Sequence, residues 1–305
     1  MSLLLNPRFS RMIEGHVSRI CPPNQAHINF STNTAFYRHN TQQGYSLKFV
    51  LSGTESYRIN GQPRILRTGQ FLVVSHGSDV QVEIDSREPT SGVCAFLSTD
   101  QIKDVWYSLH NPTETLLDMP EPTHTMPGFY EQVATAQHTL LGQRMAMLAT
   151  QISTGQLDSP DVTDDLFYEL ATHLCQQQQT YQRHLTRLPA QKQATREELY
   201  RRLLMAKEYM HDNVSEPSHL SDVAAVACLS EYHFLRSFKA VFGESPYQYV
   251  LHLRLQKAVD LLRAGSLPIG DVALACGFDE VQAFSKHFRK QQGVGPMRFR
   301  QLYRI

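Results

Sequence analysis

Cysteine is scarce in this sequence of 305 residues, and the five cysteines are odd in number and widely scattered, at Cys21, Cys94, Cys175, Cys228 and Cys276. No Cys-x-x-Cys pair occurs, so the pattern predicts neither a disulfide framework nor a cysteine zinc site. We therefore expect the reducing environment of the cytoplasm. Long apolar runs are also missing, because the longest, such as Val272–Cys276, are far shorter than a membrane span. The sequence predicts no transmembrane helix and no membrane partner.

Charged residues make up only 19% of the chain, whereas 41% of residues are apolar and 10% are aromatic. This composition excludes an intrinsically disordered chain and, at this length, favours two domains. The net charge of zero hides an asymmetry. Residues 1–183 hold 12 Lys and Arg against 17 Asp and Glu, while residues 184–305 hold 17 against 12. An acidic half joined to a basic half indicates that the second half meets a polyanion.

Residues 28–98 have the pattern of β-strands. From Tyr45 to Leu51, apolar side chains alternate with more polar ones, as a half-buried strand requires. Asn60-Gly61 is the dipeptide best suited to a tight type I′ hairpin turn, in which both residues need positive φ. Further strands are predicted at Glu55–Ile59, Phe71–Val74, Val80–Ile84 and Val93–Leu97. Short strands at intervals of about ten residues favour a small antiparallel barrel or sandwich.

Two amphipathic helices are predicted after the strands, at Pro127–Gln151 and Asp164–Tyr181, from apolar residues at three- and four-residue steps. Residues 184–195 are polar, weakly periodic and interrupted by Pro189. We expect a linker there, between a first domain at 1–183 and a second, almost entirely helical domain at 196–305. The predicted fold class is α+β.

The basic half contains an internal repeat. Val223-Ala224 recurs as Val272-Ala273, and the equivalence then continues with an offset of 50 residues. The equivalent pairs are Phe234 with Phe284, Phe238 with Phe288, Lys239 with Arg289, Gly243 with Gly293, Pro246 with Pro296 and Tyr249 with Phe299. Each unit has the pattern of a short helix, a tight turn, a capping residue (Ser230 or Asp279) and a second helix ended by glycine. The repeat predicts two helix-turn-helix motifs.

The segment Leu220–Arg300 resembles the DNA-binding domain of the AraC/XylS family of bacterial transcription regulators. The resemblance is carried by LSDVAAVACLSEYHFLRSFKAVFGESPYQYV, then RLQKAVDLLRAG, then IGDVALACGFDEVQAFSKHFRKQQGVGPMRFR. It implies a C-terminal all-α domain with two helix-turn-helix motifs and an N-terminal cupin-like antiparallel β-barrel with helices. The sequence departs from the family pattern at Leu235, where a small or polar residue is usual, and at Ser237, where an apolar residue is common.

The second helix of each motif has one apolar face and one polar face at helical spacing. The resemblance places the polar faces in the major groove of double-stranded DNA. The predicted DNA-contacting residues are Tyr232, Leu235, Arg236, Lys239, Gln282, Ser285, Lys286 and Arg289. Arg236 can pair with the O6 and N7 acceptors of guanine, and Gln282 has the donor and acceptor that match adenine. Lys239, Arg289 and Lys290 lie further back, where phosphate contact is expected.

A connecting helix is predicted at Pro246–Ala264 between the two motifs. Its 19 residues would span about 28 Å, which approaches the ~34 Å between major grooves one turn apart. One chain could therefore contact two successive grooves. Arg254 and Lys257 on this helix are candidates for contacts with the DNA backbone or for a solvated face.

The predicted barrel offers candidate ligand-binding residues at Tyr37, Arg38, Lys48, Tyr57 and Arg58. These polar or aromatic side chains could face inward, although the outside of a barrel is the commoner position for each. A metal-bearing cupin would present a His-x-His pair, and none occurs. His39 and His76 are isolated, so we expect ordinary histidines, no metal and no cofactor. No GxSxG, HExxH or phosphate loop is present, so an enzyme is not predicted.

The sequence therefore predicts a cytoplasmic, sequence-specific transcription regulator whose N-terminal barrel binds a small-molecule effector. The two helices after the strands are candidates for homodimerisation or for packing on their own barrel, and RNA polymerase is a further candidate partner. Two alternatives remain open. One is a metal-dependent cupin enzyme fused to a DNA-targeting domain, and the other is a dimeric regulator that needs no ligand.

Overall fold

The computed structural model describes residues 8–17, 24–110, 129–131, 133–157, 162–217, 219–265 and 267–303. Cys21 and the first two residues of the helix predicted at 127–151 lie outside these ranges. The chain divides into two compact units, Met1–Tyr181 and Gln182–Ile305. Within the described ranges, no helix is both long and apolar enough to cross a membrane.

The first unit is built on one nine-stranded sheet. Its strands are β1 Phe9–Ile13, β2 His16–Val17, β3 His27–Thr41, β4 Tyr45–Ser52, β5 Thr54–Ile59, β6 Gln62–Arg67, β7 Gln70–Val74, β8 Asp79–Leu97 and β9 Val133–Thr135. The strand order is β2-β1-β3-β8-β4-β7-β9, and the β5–β6 hairpin joins it through β8. Since β2 and β9 do not pair across the described part of the chain, the sheet is not closed, and the predicted cupin-like barrel is not confirmed.

The strands are longer than the sequence pattern predicts. Val80–Ile84 and Val93–Leu97, predicted as separate strands, belong to the single strand β8, which pairs with β3 along both halves. The register of that pairing shifts between Asn33 and Ala35. The predicted hairpin at Asn60-Gly61 is confirmed, because both residues have positive φ, 49° and 79°, and Ile59 pairs with Gln62.

Three helices cover one face of the sheet: α1 Thr99–His110, α2 Leu140–Ser153 and α3 Asp164–Thr186. They form the main apolar core of the first unit with inward residues of the central strands. Fully buried members of this core are Leu47, Phe71, Ile102, Met145 and Phe167. Burial of side chains of this size stabilises a fold by about 1.5–3 kcal/mol each.

The helix predicted at 127–151 begins only at Leu140. Val133–Thr135 pairs with β7 instead, and Thr139 caps α2 by accepting a hydrogen bond from the Gly142 amide at 3.0 Å. The helix predicted at 164–181 continues to Thr186. Consequently, part of the segment expected as a linker at 184–195 is helical, and only residues 187–192 lie outside helices.

The second unit is helical throughout its described residues. Its helices are α4 Gln193–Asp212, α5 Leu220–Val226, α6 Glu231–Phe242, α7 Pro246–Ala264, α8 Ile269–Ala275, α9 Val281–Gln292 and α10 Pro296–Tyr303. The predicted connecting helix is confirmed as α7, with the same bounds. Pro246 occupies its first turn, and Ser245 and Gln248 form a capping box at its N-terminus, an arrangement that fixes a helix start.

Candidate nucleic-acid interface

The two helix-turn-helix motifs, α5–α6 and α8–α9, have the same turn. In the first, the amides of Cys228 and Leu229 donate to the carbonyls of Ala225 and Ala224 at 2.9 and 3.0 Å. In the second, the amides of Gly277 and Phe278 donate to the carbonyls of Leu274 and Ala273 at the same distances. Cys228 and Gly277 are both left-handed, with φ of 52° and 77°. A cysteine therefore adopts a conformation that normally favours glycine.

Gly277 is also a point of close approach. A Cβ atom at this position would lie 2.7 Å from the carbonyl oxygen of Ser215 and 3.0 Å from the guanidinium carbon of Arg254. Glycine at this position therefore allows both the positive φ and the close approach of Ser215.

The ends of α6 and α9 are set by capping. Ser230 caps α6 and accepts from the amide of His233 at 3.4 Å, as predicted. The predicted cap Asp279 is wrong, because α9 begins one residue later, after Glu280, whose side chain makes no capping hydrogen bond. Gly243 and Gly293 end the two helices with φ of 83° and 76°, which confirms the predicted glycine stops.

A pair of tilted phenylalanine rings orients each of these helices. The Phe234 and Phe238 rings are 5.5 Å apart, and the equivalent Phe284 and Phe288 rings are also 5.5 Å apart. All four side chains are fully buried. The repeat therefore has one geometry in both motifs, and the face opposite these rings points away from the core.

The predicted DNA-contacting side chains lie on that opposite face. Tyr232 is 74% exposed and Leu235 is 37% exposed. Exposed side chains also include Arg236, Lys239, Gln282, Lys286 and Arg289, while Ser285 is half-buried. No salt bridge joins Arg236, Lys239 or Lys286 to another residue of the described ranges. These cations are therefore available to an external anion, and DNA contact by the set stays a prediction.

Arg254 and Lys257, candidates for contact with the DNA backbone, form hydrogen bonds within the second unit. The Arg254 guanidinium donates to the carbonyls of Val214 and Glu216 at 2.8 and 3.1 Å. The Lys257 amine donates to the Ser215 hydroxyl at 2.7 Å. These partners lie about 40 residues away in sequence, so helical spacing alone could not identify them.

Ser237, where the sequence departs from the family pattern, is 1% exposed on the inward face of α6. Its hydroxyl has no hydrogen-bond partner among the described residues. A polar atom left in this state costs about 1–3 kcal/mol.

In the first unit, the candidate ligand-binding residues divide into two groups. The side chains of Tyr37, Arg38 and Arg58 are exposed, which is the commoner of the two positions considered for them, and ligand binding by these residues stays a prediction. Arg38 pairs with Val82, which also pairs with Tyr57, so Arg38 and Tyr57 lie on the same face of the sheet. Lys48 and Tyr57 do lie inward.

Lys48 and Tyr57 meet at Glu55, a residue that the sequence analysis did not single out. The Lys48 amine lies 3.0 Å from a Glu55 carboxylate oxygen and donates to the Ser31 hydroxyl at 3.2 Å. The Tyr57 hydroxyl donates to the other Glu55 oxygen at 2.7 Å. Burial and the nearby carboxylate raise the pKa of Tyr57 well above its usual value, so the hydroxyl remains a donor. The signal was the two-residue spacing of Glu55 and Tyr57, which puts both on one face of β5.

This polar group occupies the face of the sheet that α1–α3 do not cover. Lys48 and Asn29 both pair with Cys94 from neighbouring strands, so their side chains share a face. Asn33 is fully buried there, and its amide nitrogen lacks a hydrogen-bond partner among the described residues. Burial raises the pKa of the Cys94 thiol to about 12, which keeps the thiol protonated and unreactive.

Histidine and metal chemistry are limited in the described ranges. His39 lies 2.7 Å from Asp79, and His76 accepts from the Gly44 amide at 3.1 Å. No group of three His, Cys, Asp or Glu side chains in these ranges could hold a metal ion.

Comparison with known proteins identifies the same C-terminal segment. Residues 223–302 match the helix-turn-helix domain family. The MmsAB operon regulatory protein of Pseudomonas aeruginosa is 34% identical over 96 residues, which are 32% of this chain and 31% of that protein. The right origin-binding protein of Escherichia coli is 36% identical over 92 residues, which are 30% and 32% of the two chains. The matched segment thus spans about a third of the length of these curated relatives.

Among solved structures, an AraC-type transcriptional regulator from Chromobacterium violaceum is 33% identical to this chain. The alignment covers 33% of this chain and 91% of that one, with a TM-score of 0.32.

Proposed function

We propose, on the premise that residues 223–302 form an AraC-type helix-turn-helix domain, that this chain is a sequence-specific DNA-binding transcription regulator. The observation that carries the proposal is the duplicated exposed face. Two helices of one geometry, α6 and α9, each present basic side chains opposite a buried phenylalanine pair, and α9 adds the amide side chain of Gln282. Such a face can enter a major groove and pair with base edges.

Two sets of side chains on these faces have distinct chemical roles. Arg236 and Gln282 lie near the N-terminal ends of their helices, where a recognition helix meets base edges. Lys239 lies three residues after Arg236 and Arg289 seven residues after Gln282, and both meet phosphates, which position the protein. The helix α7, which connects the two motifs, spans about 28 Å. This length is close to the ~34 Å between major grooves one turn apart.

Selection of genomic DNA fragments on the full chain tests this function. The expected result is enrichment of a few fragments that share a sequence, with binding that weakens steeply as salt rises. Arg236→Ala should lower affinity for the selected site by about 1–3 kcal/mol and relax preference at one base pair. Lys290→Ala, the matched control, should weaken all sequences about equally. A chain that enriches no sequence, or two variants that behave alike, would contradict the proposal.

The buried polar group of the first unit supports an effector-binding role. Lys48, Glu55, Tyr57, Asn29 and Asn33 together offer a cation, a carboxylate, a hydroxyl and amides. This chemistry suits a small polar molecule with several hydrogen-bonding groups. Buried polar atoms without partners, as at Asn33, are costly unless something satisfies them.

A thermal-shift screen of small polar metabolites on the full chain tests the effector site. A true effector should raise the melting temperature of the wild-type chain. The double variant Lys48→Met/Glu55→Leu should fold, because replacing a whole buried ion pair by apolar residues is often neutral in stability, and it should lose the shift. Arg58→Ala, an exposed neighbour, should retain it. A shift that persists in the double variant would place the effector elsewhere.

A homodimer is the proposed assembly. Leu140 and Met147 on α2 and Tyr168 on α3 are 67%, 54% and 42% exposed, which is unusual for large apolar side chains on neighbouring helices. Sedimentation equilibrium should give twice the mass of the chain for the wild type. Leu140→Glu/Met147→Glu should give the monomer mass, and a wild-type monomer would contradict this assembly.

A further inference from the structure

The second unit consists of two helix-turn-helix halves with an open groove between them. Helices α5 and α6 pack on α4, while α9 packs on α8 and α10. A groove of about 520 Å³ runs between the halves, lined by Val223 of α5, Leu251 of α7 and Ala283 of α9, among others. Because the halves face each other across this groove, other contacts must fix their relative orientation.

One such contact is centred on Ser215, in the segment between α4 and α5. The Ser215 hydroxyl accepts from the Lys257 amine at 2.7 Å and donates to the carbonyl of Ala275 at 3.0 Å. Ala275 is the last residue of α8 in the second motif, whereas Ser215 leads into the first. The hydroxyl therefore links the segment that leads into the first motif to the end of the first helix of the second motif.

Arg254 reinforces the same segment from α7. Its guanidinium donates to the carbonyls of Val214 and Glu216, on either side of Ser215, and its guanidinium carbon lies 6.0 Å from the Phe278 ring. Each backbone acceptor bonded to a charged donor is held more strongly than by a neutral donor. We call this set (Ser215, Arg254, Lys257 and the turn Ala275–Gly277) the Ser215 junction.

The absent side chain of Gly277 permits the junction. A Cβ atom there would meet the Ser215 carbonyl oxygen at 2.7 Å, which would push the segment away from the turn. The first motif carries Cys228 at the equivalent position, so the turn conformation alone does not demand glycine. Close approach of Ser215 is the additional demand at Gly277.

We propose that the Ser215 junction fixes the angle between the two motifs, and so sets the half-site spacing that the protein accepts on DNA. Ser215 and Lys257 are positioning residues, because they act through the helices that meet DNA. The inference rests on the proposed DNA-binding function, and it names the residues that determine which half-site spacing the protein accepts. Linked binding modules gain affinity only when their geometry lets both engage at once.

The test uses full-length variants and the operator obtained by fragment selection. Ser215→Ala removes the central hydroxyl and Lys257→Met removes the donor but keeps most of the stem. Ser221→Ala and Arg263→Ala are matched controls, since both residues are exposed and neither belongs to the junction. Circular dichroism confirms that each variant is folded. The probes are the intact operator, operators with one base pair inserted between the half-sites, and DNA with one half-site scrambled.

An inserted base pair shifts one half-site by about 3.4 Å along the axis and rotates it by about 35°. The wild type and both controls should lose about tenfold in affinity on the inserted operator. Ser215→Ala and Lys257→Met should bind the intact operator about tenfold more weakly and discriminate by less than about threefold between the two spacings. Their affinity for single half-sites should stay within about twofold of the wild type.

Two results would contradict the proposed role of the Ser215 junction without contradicting the proposed DNA-binding function. One is wild-type spacing discrimination in both folded junction variants. The other is a parallel loss on half-sites and intact operator, which is the signature of a general loss of structure. If the wild-type chain selects no DNA sequence, the proposed function itself fails, and the inference fails with it.

Discussion

At the scale of single residues, the two motifs place different side chains in the same left-handed turn. Cys228 bears a conformational cost of roughly 1–2 kcal/mol for its positive φ, whereas Gly277 does not. Gly277 also lies against the backbone carbonyl of Ser215. The close approach depends on Ser215, which lies 62 residues away, so the local sequence around Gly277 does not predict it.

Substitutions in these turns should therefore have unequal effects. Gly277→Val should abolish specific DNA binding in a folded protein, because the strained turn costs about 1–3 kcal/mol and tilts α9. Cys228→Ala should leave binding nearly intact, and Cys228→Gly should raise the free energy of unfolding by about 1 kcal/mol. Fluorescence anisotropy with operator DNA and urea unfolding followed by circular dichroism measure both effects. Specific binding retained by folded Gly277→Val would refute the proposed role of the turn.

Ser237 gives a second prediction at this scale. Ser237→Ala should raise the free energy of unfolding by about 1 kcal/mol, because it removes a buried hydroxyl without a partner and improves helix propensity. Exposed Ser221→Ala on α5 is the matched control, and it should change stability by less than about 0.5 kcal/mol. Urea unfolding measures both variants. A destabilised Ser237→Ala protein would mean that the hydroxyl makes a favourable interaction.

At the scale of helices and strands, capping and turn residues correctly predict the bounds of elements whose ends depend only on neighbouring residues. Ser245, Pro246 and the glycine after Ala264 define α7 within the sequence, and Asn60-Gly61 defines its hairpin. By contrast, the start of α2 depends on residues 133–135 pairing with β7, about 60 residues earlier in the chain. A long-range strand pairing of this kind overrides local helical periodicity. The same limit applies to Lys48 and Glu55, which meet only because two strands fold together.

The contact of His184, at the end of α3, with Tyr200 of α4 makes a pH-dependent contribution to stability. His184 lies at the end of α3, with its ring 5.6 Å from Tyr200 and 5.4 Å from Phe242. Burial, then the cations of Lys207, Arg187 and Arg183, lower the pKa of His184 to about 4 from its ordinary 6.5. Folding therefore keeps the imidazole neutral at pH values where the unfolded chain is protonated.

Between pH 6.5 and 4, the unfolded state binds more protons at His184, so the free energy of unfolding falls as the pH falls. The expected loss from pH 6.5 to pH 5 is about 1 kcal/mol, reduced by solvent screening of this half-buried group. His184→Gln should remove this part of the pH dependence. The measurement is urea unfolding of both proteins at several pH values, and equal slopes for the two would show that His184 does not titrate in this way.

At the scale of the whole molecule, an open sheet with helices on one face is joined to a basic helical unit. Composition and charge favour two domains, and the repeat predicts two helix-turn-helix motifs in the second. The closed barrel is not confirmed, because strand periodicity carries no information about whether a sheet's edges meet. The second unit begins before the residues expected for it, since Leu185 and Leu188 are buried and the Arg187 guanidinium donates to the carbonyl of Val241 at 3.0 Å.

A fragment of residues 182–305 should consequently fold alone and bind DNA with steep salt dependence. A fragment of residues 194–305 should be less stable by about 3 kcal/mol, because it lacks the buried side chains of Leu185 and Leu188. Urea unfolding and anisotropy with operator DNA compare the two fragments. Equal stability would show that residues 182–193 contribute nothing to this unit.

The central claim is that α6 and α9 read bases in two successive major grooves, and selection from a random DNA library tests it most directly. The wild-type chain should enrich a bipartite site with half-site centres about 10 base pairs apart. Arg236→Ala should relax preference in one half-site only, and Gln282→Ala in the other only. Enrichment of a single uninterrupted site, or relaxation of the same positions by both variants, would contradict the claim.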